Sequence, residues 1–331
     1  MNRHHYSNGN IMENIIFGPV PSRRLGRSIG INNIPHKVCS YSCVYCQIGK
    51  TVKMQFARRE FYPSDAIVNQ VEQKLNSLDT KDLPDYITIV SDGEPTLDTN
   101  LGELIVKLKS FGFPVAVISN SSLIDNKDLQ AELMNADYVS LKIDTVNYST
   151  WKRINKPHKG LDLSSILTAI QNFSTNYTGK LVTETMLIKG VNDTRVEFIQ
   201  LAQYLHNIKS DTAYIAIPTR PTAFENIRPA DEAIVVLAYE IFTSRSISTE
   251  LLTGYEGNAF ASSGHFTDDI LSITAVHPMR SDAVLELMAK SKTTEESLNL
   301  LIDNDLIKPI KFNDQIYYLR KFLNSRINFR H

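Results

Sequence analysis

The sequence predicts an α/β protein in which parallel βα units roll into a closed or partly open barrel, followed by a small mixed module. Three observations predict it. Short apolar runs rich in β-branched and aromatic residues recur along the first 220 residues. Segments of helical period separate those runs, so strands and helices alternate. Residues 278–331 then break the alternation.

The strand-like runs are residues 28–31, 86–90, 115–118, 138–143, 181–188 and 213–217. Between 101 and 112, Leu101, Leu104, Ile105 and Leu108 fall at i, i+3, i+4 and i+7, and Gly112 suits a C-terminal cap. Comparable helices are predicted over 64–78, 127–135, 162–174, 194–206 and 230–244. Six such units, joined by right-handed crossovers, make a barrel; a doubly wound open sheet shares the same alternation. In the tail a helix over 282–290 precedes a second one capped by Thr293 or Thr294. Two β runs then flank Asn313-Asp314, a two-residue hairpin turn. Two helices and a hairpin make a winged-helix-like module.

Composition excludes several classes. The formal net charge is −1, so no global electrostatic argument points to nucleic acid. Apolar runs such as 231–242 are too short and too charged to span a bilayer. The first 16 residues read as a polar, disordered extension without the apolar stretch of a secretory leader, and a cytoplasmic location is expected. The tail carries nine basic and seven acidic residues, too slight a balance for a nucleic-acid module by itself.

All three cysteines, Cys39, Cys43 and Cys46, sit in "CSYSCVYCQ". An odd set cannot close on itself as disulfides, and clustered thiols without a leader point to metal or catalysis. Zinc held by Cys39, Cys43, Cys46 and His36 is one reading. An iron–sulfur cube with three thiolates, leaving one iron open to a small molecule, is the other.

Further motifs extend the second reading. The C-x3-C-x2-C loop, with Tyr45 before its last cysteine, follows the first strand of a βα array and resembles the radical SAM superfamily. "SDGEPTL" after the run at 86–90 is similar to the family's glycine–glutamate motif, here Gly93-Glu94-Pro95, with Asp92 where the first glycine is usual. "ISNSS" at 118–122, with Asn120, resembles the family's Thr-Asn-Gly strand end, and "SLKID" at 140–144 its polar fourth strand. The sequence looks most like the iron–sulfur oxidoreductase branch related to tRNA wyosine-base synthases, although it lacks their extra N-terminal cysteines.

The resemblance implies a partial (β/α)6 TIM-like barrel over 17–245, a connecting segment over 246–277 and the winged-helix-like module over 278–331. It implies a [4Fe–4S] cluster on Cys39, Cys43 and Cys46. S-adenosylmethionine would lie among Tyr45, Gly93, Glu94, Pro95, Asn120, Lys142 and Asp144, with Glu94 on its amino group. Reductive cleavage would give a 5′-deoxyadenosyl radical that takes hydrogen from a substrate. A reductant such as flavodoxin or ferredoxin is implied, and a macromolecular substrate, RNA or protein, fits as well. Protein-directed maturases and glycyl-radical activases are the alternative enzymes; a metal-binding regulator is the non-enzymatic one. Period two places Ser140, Lys142 and Asp144 on one strand face, where Lys142 and Asp144 can meet the cofactor or each other. Glu184 is expected to project inward, and Arg23, Arg24 and Arg27 to lie near the cluster mouth. The tail is expected to recruit a macromolecule while the barrel alone carries the chemistry.

Overall fold

The computed structural model describes residues 15–254, 260, 262, 264–312 and 314–321. The opening 14 residues, Asn313 of the predicted hairpin turn, and Arg326 and Arg330, two of the tail's nine basic residues, lie outside the described residues.

One eight-stranded sheet organises the chain: β1 (Ile16–Ser22), β2 (Gly26–Ile31), β3 (Tyr86–Ile89), β4 (Val115–Ser119), β5 (Tyr138–Lys142), β6 (Lys180–Met186), β7 (Thr212–Ala216) and β8 (Thr249–Leu252). The strands lie side by side in chain order. β1 runs antiparallel to β2, and every other neighbouring pair is parallel. β1 and β8 form the two edges and do not pair, so the curled sheet is a partial barrel rather than a closed one.

All six strands read from the pattern are present, and β1 and β8 are additional. β1 carries Pro19 and Pro21, which read as a loop; at a sheet edge the missing N–H groups cost nothing. "TELL" of β8 offers little β signal and gains its place from register with β7. Helices at Ser64–Asn76, Leu101–Lys109, Lys127–Leu133, Leu163–Asn176, Arg195–His206 and Glu232–Thr243 occupy the expected crossovers. Their apolar stripes meet the outward strand residues, among them Val139, Leu141 and Ile143, in the largest core. A further short helix, Tyr148–Ile154, was not legible in the periodicity.

The stretch read as a connecting segment contains β8 and a helix, Phe266–Val276. After it come helices Ser281–Lys290 and Glu295–Asp303, then a hairpin of Ile307–Phe312 and Gln315–Arg320, with Met279–Arg280 added to the hairpin's other side. The tail's core of Ile270, Ile273, Val284, Leu287 and Ile307 includes Phe17 and Val20 of β1, so tail and barrel share one apolar layer. Among the described residues no helix is long and apolar enough to cross a membrane.

Candidate active site

The cysteine loop follows β2 and is fastened at the carboxyl end of the sheet, where βα barrels place their chemistry. Val38–Cys39 pairs with Lys53–Met54. Ser42 and Val44 donate their N–H groups to the carbonyls of Asn155 and Ile154, at 3.0 and 2.9 Å. Trp151, buried in the short helix, donates Nε1–H to the Tyr41 hydroxyl at 3.1 Å. That helix therefore seats the loop.

Each cysteine sulfur receives one side-chain N–H. Asn120 Nδ2 reaches Cys39 Sγ at 3.5 Å, Asn155 Nδ2 reaches Cys43 Sγ at 3.5 Å, and Lys37 Nζ reaches Cys46 Sγ at 3.2 Å. Burial, with the Asp144 carboxylate second, pushes the Cys43 thiol up to about 12, and burial with Glu94 pushes Cys39 above the usual thiol range. Such thiols hold their protons until a metal displaces them. Among the described residues no three His, Cys, Asp or Glu side chains converge on one point that would hold a single ion. His36, the fourth ligand of the zinc reading, is bonded through Nδ1 to Asp92. The three sulfurs instead line one cavity of about 330 Å³, a size within the range of small-molecule sites.

The turn after β3 forms a second wall. A Cβ on Gly93 would come within 1.9 Å of the Val38 carbonyl oxygen, so only glycine lets this turn lie against the cysteine loop, where Glu94 N–H bonds Val38 O at 3.2 Å. Glu94 is buried, and burial raises its pKa against the opposing pull of its hydrogen bonds. Its Oε1 accepts from Thr96 N–H at 3.1 Å, the Thr96 hydroxyl at 2.6 Å and the Ser119 hydroxyl at 2.8 Å; Oε2 accepts from Asn120 N–H at 2.7 Å. The carboxylate expected to meet an ammonium therefore ties the ends of β3 and β4 together. Asp92 is fully buried; Oδ2 bonds His36, while Oδ1 has no hydrogen-bond partner and its residue lines the cavity.

A third wall comes from β5 and β6. Lys142 Nζ bonds Glu184 Oε1 at 2.7 Å and lies 4.8 Å from the Tyr45 ring centre. Burial alone would lower the Lys142 pKa, but Glu184 and Asp144 outweigh it and the net shift is upward. Asp144 stands behind the wall, accepting from the Tyr45 hydroxyl, from Asn155 Nδ2 at 2.7 Å and from Met186 N–H at 2.9 Å. Arg24 rises from the β1–β2 turn to Glu184 and to Ser140 Oγ at 3.3 Å. Leu25, Tyr138, Val182, Tyr214 and Leu252 form the apolar layer beneath.

Of the residues singled out from sequence, Cys39, Cys43, Cys46, Tyr45, Gly93, Glu94, Asn120 and Lys142 line the cavity, as do Arg23, Arg24 and Glu184. Pro95 starts a buried 3-10 turn outside the lining, its carbonyl accepting from Asn33 Nδ2 at 3.1 Å. Asp144 is likewise outside it. Arg27 is not at the mouth: it lies at the amino end of β2, bonded to the Lys81 carbonyl, because β2 points its other end toward the site. Sequence reasoning missed Lys37, Asn155, Arg220 and His277. Arg220 Nη1 bonds Gln47 Oε1 at 3.0 Å and its Nη2 lies 2.8 Å from His277 Nε2, and all three residues line the cavity.

The sequence profile of the radical SAM superfamily matches residues 33–202, the span that carries the cysteine loop, the turn at Gly93-Glu94 and the Lys142–Glu184 pair. The chain belongs to the radical SAM superfamily. Members of this superfamily generally bind a [4Fe–4S] cluster and S-adenosylmethionine. A UPF0026 protein of Methanocaldococcus jannaschii is 40% identical over 308 residues, 92% of this chain and 96% of that protein. A UPF0026 protein of Helicobacter pylori is 31% identical over 271 residues, 81% of this chain and 86% of that one. Among solved structures, a radical SAM methyltransferase from Sphaerobacter thermophilus superposes with a TM-score of 0.54 at 15% identity, over 68% of this chain and 66% of that chain. That likeness is one of fold. The family places the chain among enzymes.

Proposed function

We propose that the chain reductively cleaves S-adenosylmethionine and uses the product to take a hydrogen atom from a polar substrate group held above Arg24 and Glu184. One observation carries the reading: the three sulfurs and the three polar walls face a single cavity. Cys39, Cys43 and Cys46 would hold the cluster, and the raised thiol pKa values of Cys39 and Cys43 make its uptake release protons. When bound, cluster and S-adenosylmethionine supply the electron and the 5′-deoxyadenosyl radical, which is the hard chemistry of the reaction.

The protein's own groups position and tune. Asp92 Oδ1, buried and without a partner, is the group proposed to meet the methionine ammonium, since both Glu94 oxygens are already engaged. Glu94 then acts by holding Asn120, whose amide reaches Cys39. Lys142 and Tyr45 present a cation and a ring to the cavity, braced by Glu184 and Asp144. His277 and Arg220 narrow the entrance, which limits water near a reactive intermediate.

Anaerobic reconstitution should load about four irons per chain, three thiolates sufficing for a cube with one open corner. Dithionite and S-adenosylmethionine should then yield 5′-deoxyadenosine. Cys39→Ala, Cys43→Ala and Cys46→Ala should each abolish both. Tightly bound zinc with no iron uptake would overturn the proposal.

A further inference from the structure

The segment that leads from β2 to the cysteine loop grips the turn after β3. Asn32 Oδ1 accepts from Asp92 N–H at 3.3 Å, and Asn33 Oδ1 accepts from the Ser91 hydroxyl at 2.7 Å. Asn33 Nδ2 reaches on to Pro95 O and Asp98 Oδ2, both at 3.1 Å. Ile34 is fully buried against Gly93, where an added Cβ would come within 2.8 Å of Ile34 Cδ1. The last contact of the series is the bond between His36 Nδ1 and Asp92 Oδ2.

Of these contacts only the one from His36 reaches the Asp92 carboxylate. The Asp92 side chain is fully buried, while that of His36 is 25% exposed and lies outside the cavity lining. An ionised carboxylate only accepts, so Nδ1 carries the hydrogen of this bond. With Oδ2 held, the carboxylate cannot turn about Cβ–Cγ without giving up a hydrogen bond in a buried place, which is costly. The acceptor left open is Oδ1, buried with no hydrogen-bond partner, on a residue that lines the cavity. A buried polar atom left in this way costs free energy that a cation entering the cavity would offset.

We infer that His36 is a positioning residue for cofactor binding: it holds Asp92 Oδ2 so that Oδ1 meets the ammonium of S-adenosylmethionine. The inference rests on the proposed reading of Asp92 as that ammonium's partner. A carboxylate left to rotate would spread its acceptors over several directions, and ordering it would weaken binding. His36 removes that cost before the cofactor arrives. The arrangement is tied to this chain's departure from the usual motif, because a glycine at position 92 would give the imidazole nothing to hold. The zinc reading assigns His36 a different role, that of a metal ligand, and experiment separates the two.

The test uses the anaerobically reconstituted full chain as wild type, His36→Leu, His36→Asn, His36→Gln, Asp92→Asn and the double variant His36→Leu with Asp92→Asn. The Asn amide nitrogen stands where Nδ1 does and can still donate to Oδ2. The Gln amide nitrogen stands where Nε2 does, and Gln replaces Leu should the apolar variant fail to fold. Calorimetry reads the affinity for S-adenosylmethionine and for 5′-methylthioadenosine, which lacks the amino-acid portion. His36→Leu should load iron normally and bind S-adenosylmethionine about tenfold more weakly, the scale of one lost hydrogen bond to a charged group. His36→Asn should recover most of that loss, and His36→Gln should not. In the Asp92→Asn background His36→Leu should add less than about twofold, because the two residues act through one bond. Methylthioadenosine should bind all variants alike.

Wild-type S-adenosylmethionine affinity in His36→Leu, with Asp92→Asn impaired, would overturn the inference alone. So would an equal loss of methylthioadenosine binding, or an undiminished His36→Leu effect in the Asp92→Asn background, since either makes the role structural. Loss of the metal in His36→Leu would make His36 a ligand and overturn it as well. No iron uptake by the wild type, or wild-type cofactor affinity in Asp92→Asn, would remove the proposed reading and the inference with it.

Discussion

Lys37 Nζ lies 3.2 Å from Cys46 Sγ, at the end of a side chain only 2% exposed. On the proposed reading, in which Cys46 holds a cluster, this buried ammonium would favour the more negative, reduced state, because hydrogen bonds to the sulfurs and local charge set the potential of such clusters. Asn120 and Asn155 give the other two sulfurs neutral and longer contacts.

Lys37→Met should therefore lower the cluster's reduction potential. A charge-assisted hydrogen bond contributes about 1.5–3 kcal/mol, equivalent to about 65–130 mV for one electron. Lys37→Arg should keep most of the effect, and Asn155→Leu should shift the potential less. An EPR-monitored redox titration reads all three. Equal potentials in wild type and Lys37→Met would show that the contact does not tune the cluster.

On the proposed reading, Asp92 and Glu94 divide a task that one motif suggested for Glu94 alone. Asp92→Asn should weaken S-adenosylmethionine binding by about 1.5–3 kcal/mol, roughly 10- to 150-fold, with little change in the melting temperature. Glu94→Gln should do something different, since its amide would face donors that now bond a carboxylate. Leaving a buried donor unmatched costs about 1–3 kcal/mol, so this variant should melt earlier as well as bind less cofactor. Calorimetric titration and thermal melts together separate the two. A Glu94→Gln variant that melted like wild type would contradict the bracing role.

Much of this site was legible in the sequence because its marks are local. Three cysteines within eight positions, Gly93 against Glu94, and period two along 138–143 survive without knowledge of the fold. Lys37 and Asn155 were not legible. The first reaches Cys46 from a backbone at φ 56°, and the second caps a seven-residue helix too short to show a period. β1 was hidden by its prolines, and with it the layer that joins the tail to the barrel. Contacts of long sequence separation, such as the pairing of Arg220 with His277, leave no local trace.

Asp98 closes the turn that begins at Glu94, and burial pushes its pKa up to about 6. The unfolded value is about 3.9. The folded state thus binds more protons than the unfolded one across that interval, and the stability this gives is lost as pH rises through about 6. Relative to Asp98→Asn, which does not titrate, wild type should lose about 1 kcal/mol between pH 5 and pH 7. Urea melts of both proteins at the two pH values measure it. A constant difference would mean that Asp98 does not titrate in this window.

The tail was expected to be separable, and its packing argues otherwise. Ending the chain near residue 277 would keep the helix Phe266–Val276 on β1 but remove its partners beyond it, among them Val284, Leu287 and Ile307, from beside the buried Phe266, Ile270 and Ile273. Full exposure of such side chains costs about 1.5–3 kcal/mol each, and three of them reach the lower range of an ordinary domain's whole stability, about 5–15 kcal/mol. The truncated chain should aggregate or melt without cooperativity. A gentler probe is Tyr317→Phe, which removes the 3.0 Å bond from the Tyr317 hydroxyl to Thr219 O, next to Arg220. That variant should stay folded, losing about 0.5–1.5 kcal/mol, while loosening the wall that Thr219 and Arg220 give the cavity. Uncoupled 5′-deoxyadenosine formation should then change, since the entrance guarding the cavity has changed. A truncated chain that melts cooperatively near the full-length temperature, with uncoupled cleavage intact, would restore the tail as an independent recruiting module.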